Sequence, residues 1–205
     1  MELLTIPSPM VVHSKSRAGS ATRCAVRLAA LCLALLPGLI FAAEKESLEN
    51  AVKAAYLSKF GLYVEWPNAA FGSPSSALNL CIAGEDPFGT VLDTAVADQP
   101  VGGRPIAVRR LKTVGRDSGC HILYIGGADT PRTRQTIDAV RGNPVLTVSD
   151  ARGAETGATI NFVIKDNRVR FEIDEEVAAQ NGLSISSKLL SLALNVKRKK
   201  SEETR

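Results

Sequence analysis

Hydrophobic and polar positions follow two different periods along this chain. From Glu46 to Gly61, apolar side chains recur at steps of four, which predicts an amphipathic helix. Shorter apolar runs, rich in β-branched residues, predict strands over 77–83, 105–111, 120–125, 145–148, 159–164 and 168–173. Since helix-like segments separate the earlier runs, we expect an α/β fold: a single domain with a mixed sheet of about six strands flanked by helices.

Capping and turn residues place the remaining elements. Asp86 and Pro87 have the types favoured at a helix N-terminus, and Thr130 opens another helical segment. The last two strands are joined by a short turn over residues 165–167, which predicts a β-hairpin. An apolar stretch over residues 186–197 predicts a final helix.

The first 43 residues have the layout of a secretory signal peptide. A basic segment is followed by a 16-residue apolar run over residues 28–43, which Pro37 and Gly38 interrupt. A span through a bilayer needs about 20 apolar residues, so a permanent anchor is the weaker interpretation. We therefore predict a signal peptide over residues 1–43, an exported domain over 44–196 and a basic flexible tail over 197–205.

The charge balance changes once that leader is set aside. The whole chain has 25 Lys and Arg against 21 Asp and Glu, and residues 1–43 hold four of those cations and one acid. The exported part is thus close to neutral. A nucleic-acid groove needs a basic face that neutralises phosphates, so we expect no nucleic-acid partner.

No familiar catalytic motif stands out in the sequence, and we predict neither a cofactor nor a metal site. Polar residues do gather after the strand over 145–148, where open α/β sheets bind ligands. They are Thr147, Ser149, Asp150 and Arg152, and they form a candidate small-molecule site. Capping and turn formation explain the same residues equally simply.

A second candidate surface lies on the last hairpin strand. Arg168, Arg170 and Glu172 alternate with buried-type residues and therefore share its outward face. A solvated face is the ordinary interpretation of such a pattern. A partner-binding surface is the functional alternative, because this arginine-bearing strand is expected to lie beside the apolar C-terminal helix.

The exported domain holds two cysteines, Cys81 and Cys120, both in strand-like segments. In an oxidising compartment an isolated pair most often forms a disulfide. Two buried free thiols are the second possibility. A zinc site is the third, since structural zinc needs four ligands and only His121 is nearby.

A series of seven blocks resembles the YfiR family of exported bacterial regulators. The blocks follow in the family's order over almost the whole exported chain, which is more specific than any single motif. They are KAAYLSKFGLYVEWP (53–67), LCIAGEDPFG (80–89), GRPIAVRRL (103–111), CHILYI (120–125), PVLTVSD (144–150), INFVIKDNRVRFEID (160–174) and GLSISSKLLSLA (182–193).

The resemblance implies a periplasmic repressor without catalytic activity. It would bind the periplasmic sensor region of a YfiN-like inner-membrane diguanylate cyclase and control cyclic di-GMP signalling and biofilm formation. A YfiB-like outer-membrane lipoprotein would sequester it, and homodimers are expected. Cys81 and Cys120 match the family's cysteine pair, which implies a redox-sensitive disulfide. The alternative hypothesis is a periplasmic small-molecule-binding module that serves a different membrane receptor.

Overall fold

The computed structural model describes residues 36–127, 130–150 and 156–198. The chain divides into two units, Met1–Lys45 and Glu46–Arg205. In the first unit the described residues, 36–45, are helical. Most of the predicted signal peptide and the end of the predicted tail lie outside the described residues. Within the described ranges, no helix is long and apolar enough to span a bilayer.

The fold contains short strands separated by helices. The helices are α1 (Leu36–Phe60), α2 (Thr90–Ala97), α3 (Thr130–Val140), α4 (Glu175–Gln180) and α5 (Ser187–Leu190). The strands are β1 (Val64–Glu65), β2 (Leu78–Gly84), β3 (Ile106–Leu111), β4 (Ile122–Gly126), β5 (Leu146–Ser149), β6 (Ile160–Lys165), β7 (Arg168–Asp174), β8 (Ser184–Ile185) and β9 (Asn195–Lys197). Short 3-10 turns occupy Gly61–Tyr63, Asn68–Ala70 and Arg116–Ser118.

Seven of these strands form one mixed sheet in the order β3-β2-β4-β5-β6-β7-β9. Strands β2 to β6 run parallel, β7 returns antiparallel to β6, and β9 is again parallel to β7. Strands β1 and β8 form a separate antiparallel pair. The predicted α/β fold with a mixed sheet is confirmed, and all six predicted strands are present.

Side chains alternate between two cores, one on each face of the sheet. On the first face α1 and α2 pack on the sheet, with Leu57, Phe60 and Leu92 fully or almost fully buried. On the second face α3 contributes Ile137 and Val140 to a smaller core that includes Cys81 and Cys120. Alternation along a strand sends successive residues to opposite faces, which is why each central strand serves both cores.

Two predicted elements differ from the structure. The prediction of a final helix over residues 186–197 is wrong. Helix α5 ends at Leu190, and Asn195–Lys197 form β9. The Leu194 N–H donates to the Phe171 carbonyl, so the open edge of β7 takes up this segment as a seventh strand. Asp86 and Pro87 do not open α2, which begins at Thr90. Instead, the Asp86 carboxylate accepts hydrogen bonds from two backbone N–H groups of the preceding loop.

Candidate functional site: a cationic hairpin beside a buried ion network

The hairpin β6–β7 extends beyond its neighbouring strands. Asp166 and Asn167 join the two strands with φ of 50° and 58°, the left-handed conformation that a two-residue type I′ turn requires. Within the described residues, β6 pairs with β5 only through Ile160 and Asn161, and β7 pairs with β9 only over Glu172–Asp174. The outer part, residues 162–171, therefore has no flanking strand. We call this part, together with the adjoining Glu172 on its outward face, the hairpin arm.

Helix α1 holds the inner face of the hairpin arm through aromatic packing. The Tyr56 ring lies 6.1 Å from that of Phe162 and 5.3 Å from that of Phe171, between centroids. Phe60 lies 5.9 Å and 5.4 Å from the same two rings. An isolated hairpin is at best marginally stable in water, so this packing fixes the position of the arm.

The outer face of the arm carries the predicted partner residues. Arg168 and Arg170 are exposed and Glu172 is half-buried, so the structure places all three side by side on one face of β7. Their cross-strand neighbours on β6 are Lys165, Val163 and Asn161, respectively. Among the residues that the structure describes, none of the three forms an ion pair or a side-chain hydrogen bond.

Other cations near the sheet have carboxylate partners. Arg110 lies 2.7 Å from Asp86 and 2.9 Å from Asp93, and Lys197 lies 3.0 Å from Asp174. Burial would raise the pKa of Asp86, but hydrogen bonds from Arg110 and from two loop N–H groups outweigh it and lower that pKa. The Arg110 pairs join β3 to the loop before α2 and to α2 itself, and the Lys197 pair joins β9 to β7; the arm's cations have no such role.

The predicted small-molecule site is divided between the two faces of the sheet. Thr147 is fully buried, and its Oγ1 accepts a hydrogen bond of 2.9 Å from the Thr159 N–H. Ser149 is also fully buried. The Asp150 carboxylate lies with Tyr124 of the first core, so it does not meet the Thr147 hydroxyl. Arg152 lies outside the described residues, and small-molecule binding at this edge stays a prediction.

Asp150 belongs instead to a network with a buried lysine. Its Oδ2 accepts hydrogen bonds from the Tyr124 hydroxyl (2.7 Å) and from Lys53 Nζ (3.1 Å), and Lys53 also pairs with Glu49 at 2.9 Å. Lys53 is only 7 % exposed. Burial, followed by the negative charge of Asp150, raises the pKa of Tyr124 well above its usual value, so the phenol stays protonated and donates.

Sequence reasoning missed this network because Lys53 lies off the apolar residues that recur at steps of four, although in the structure Leu48 and Val52 of that series are exposed and Lys53 is buried. Lys53 and Asp150 are 97 residues apart, and no local pattern links residues at that distance. The one available signal was Glu49 four residues before Lys53, the spacing of a helical ion pair. That signal predicts the helical pair and gives no information about Asp150.

The predicted disulfide is present. Cys81 of β2 is bonded to Cys120, which lies two residues before β4, with 5.8 Å between their Cα atoms. Both residues are buried. The free-thiol and zinc alternatives are therefore wrong. Over the described part of the chain, no group of three or more His, Cys, Asp or Glu side chains is placed to hold a metal ion.

His121 joins the loop after β1 to the same end of the sheet. Its Nδ1 accepts from the Asn79 N–H at 2.9 Å, which leaves Nε2 to donate to the Ala70 carbonyl at 3.0 Å. The Phe71 ring stacks on the imidazole at 4.5 Å. Burial lowers the pKa of His121 and the Arg104 charge lowers it further, against an opposing effect of the Ala70 carbonyl, so the neutral ring is favoured.

Most of the chain matches a known protein family. Residues 50–194 match the model of the family described as YfiR/HmsC-like. The matched range begins within α1 and ends one residue before β9. It includes the disulfide, the whole hairpin arm, and the buried network except Glu49.

Proposed function

This chain belongs to the YfiR/HmsC-like family, and from that premise we propose that it represses an inner-membrane diguanylate cyclase by binding the cyclase's periplasmic sensor region. Membership suggests a periplasmic regulator of cyclic di-GMP signalling that works without catalysis. The single observation that carries the proposal is the extent of the match, residues 50–194, over nearly every element of the sheet.

The hairpin arm is the proposed contact surface. Arg168, Arg170 and Glu172 lie side by side on a face that no described helix covers, and the aromatic contacts of α1 hold that face in a defined position. A regulator that acts by binding needs such a preformed surface, because ordering a flexible one upon binding lowers affinity.

The disulfide has a structural role in this proposal. It joins β2 to the segment before β4, next to the His121 contacts, and thereby restrains the centre of the sheet. Reduction would loosen the sheet and weaken binding of the cyclase, and repression would then depend on periplasmic redox conditions. A YfiB-like lipoprotein that sequesters the repressor, and a homodimer of it, remain predictions.

The experiment that tests this function measures cyclic di-GMP in cells. Deleting the gene should raise cyclic di-GMP and biofilm mass, and the full chain should restore both to their starting levels. A matched variant that lacks residues 1–43 should fail to restore them, because it would not reach the periplasm. Unchanged cyclic di-GMP after deletion, or full restoration by the leaderless variant, would contradict the proposal.

A further inference from the structure

The cations of the hairpin arm form a contiguous row. Lys165 pairs directly with Arg168 across the hairpin, and Arg170 follows Arg168 on the same face of β7. Residues two apart on a strand lie about 7 Å from each other. Like charges directly opposite each other on neighbouring strands are destabilising, so folding alone gives no reason for this arrangement.

The row is flanked by acidic residues at both ends. Glu172 follows Arg170 on the outward face, and Asp166 lies in the turn beside Lys165. Along the arm the charge therefore changes from negative at Glu172 to positive over Arg170, Arg168 and Lys165, and back to negative at the turn. Val163, opposite Arg170, adds a half-buried apolar side chain at the centre.

From this charge pattern we infer that the hairpin arm binds an acidic surface of the partner protein, with carboxylates on Arg168 and Arg170. Arginine pairs with carboxylates in bidentate hydrogen bonds, which suits two arginines on one face of a strand whose Cα atoms are about 7 Å apart. The inference rests on the proposed function and adds the chemistry of the contact: two carboxylates opposite the row and a cation opposite Glu172.

The same pattern argues for a protein and against an anionic membrane surface. A lipid surface presents uniform negative charge, which Glu172 and Asp166 would repel at both ends of the row. A protein can place carboxylates and a cation in matching order over about 14 Å, which is the length of β7 from Arg168 to Glu172.

Charge reversal on the arm tests the inference, with the full-length cyclase in nanodiscs as the binding probe. The variant carries Arg168→Glu and Arg170→Glu. The matched control carries Lys112→Glu and Arg116→Glu, exposed cations away from the arm, and has the same net charge. We expect the arm variant to bind about tenfold more weakly or worse, while the control binds as the wild type does. Arg170→Lys, which keeps the charge, should recover part of the loss seen with Arg170→Glu.

Salt dependence and lipid binding separate the other outcomes. Wild-type affinity should fall as salt concentration rises, and the arm variant should show a flatter dependence. If the arm variant and the control lost affinity for the cyclase equally, the inference would be overturned, since the change in net charge alone would explain the loss. If the arm variant lost binding to vesicles of phosphatidylethanolamine and phosphatidylglycerol but kept its binding to the cyclase, the inference would be overturned in favour of a membrane contact.

Normal cyclase binding by the arm variant would overturn the arm surface alone. In that case the arginines would serve to keep sheet edges from associating, and the variant would self-associate in gel filtration. Failure of the wild-type protein to bind the cyclase would overturn both the arm surface and the proposed function. Melting curves and intact disulfides would verify that each variant is folded.

Discussion

Lys53 is a buried cation paired with two carboxylates, and one of them, Asp150, also accepts a hydrogen bond from the Tyr124 phenol. Removing its charge leaves Asp150 and Glu49 close together in a partly buried site without compensation. We expect Lys53→Met to lower the free energy of unfolding by about 3 kcal/mol, since breaking a buried ion pair on one side is strongly destabilising. Lys59→Met, an exposed lysine of the same helix, is the matched control, and urea denaturation measures both. Equal stabilities for the two variants would contradict the role given to Lys53.

His121 makes the stability of the domain depend on pH. Its pKa is lowered in the folded state, so below the ordinary value of about 6.5 the unfolded chain binds more protons than the folded one. The free energy of unfolding is therefore at its full value above that pH and decreases as pH falls through the window below it. We expect His121→Gln to flatten this decrease between pH 7.5 and 5.5, in denaturation curves recorded across the range. A wild-type slope retained in the variant would show that other groups cause it.

At the scale of elements, the turn of the hairpin arm determines how well the arm is ordered. Asn167 has φ of 58°, a conformation that β-branched residues avoid and that glycine adopts freely. We expect Asn167→Val to destabilise the hairpin by about 1–2 kcal/mol and Asn167→Gly to leave it unchanged or more stable. Amide hydrogen exchange over residues 160–174 reports the difference. Equally fast exchange in both variants would mean that the turn does not control the order of the arm.

The strands of the sheet could be predicted from sequence because burial on one or both faces leaves a local pattern. Ile160 and Phe162 are buried and alternate with half-buried residues, whereas Ile164 near the end of β6 is exposed; Val169, Phe171 and Ile173 alternate with more exposed residues on the returning strand. The stretch after Ser186 has no local pattern that distinguishes a helix from a strand. Its apolar residues suit a helix or a strand, and the open edge of β7, which lies far earlier in the sequence, decides between them.

The candidate site was predictable to a similar extent. The outward face of β7 follows from strand alternation alone, so Arg168, Arg170 and Glu172 could be placed together from sequence. Thr147 and Asp150 lie on different faces because they are three residues apart across a strand end, so their contacts could not be read from their closeness in sequence. Long-range partners such as Thr159 for Thr147 and Lys53 for Asp150 become visible only when the sheet is assembled.

For the whole molecule, the disulfide is the main covalent restraint on the unfolded state. Cys81 and Cys120 are 39 residues apart, and closing a loop of that length stabilises by about 4 kcal/mol in the chain-entropy model. We expect Cys81→Ser with Cys120→Ser to lower the melting temperature strongly and to weaken repression of the cyclase. The pair Cys81→Ala with Cys120→Ala controls for the cost of burying hydroxyl groups. Unchanged stability and repression in both double variants would exclude a structural role for the bond.

As a proposed repressor, this protein would bind a membrane cyclase and hold it inactive. The most direct measurement is the rate at which the full-length cyclase, in nanodiscs, converts GTP to cyclic di-GMP while the oxidised protein is titrated in. The account predicts saturable inhibition at a fixed ratio of the two proteins, with weaker inhibition by the arm variant Arg168→Glu, Arg170→Glu than by its control. A synthesis rate that stays constant, or rises, across the titration would contradict it.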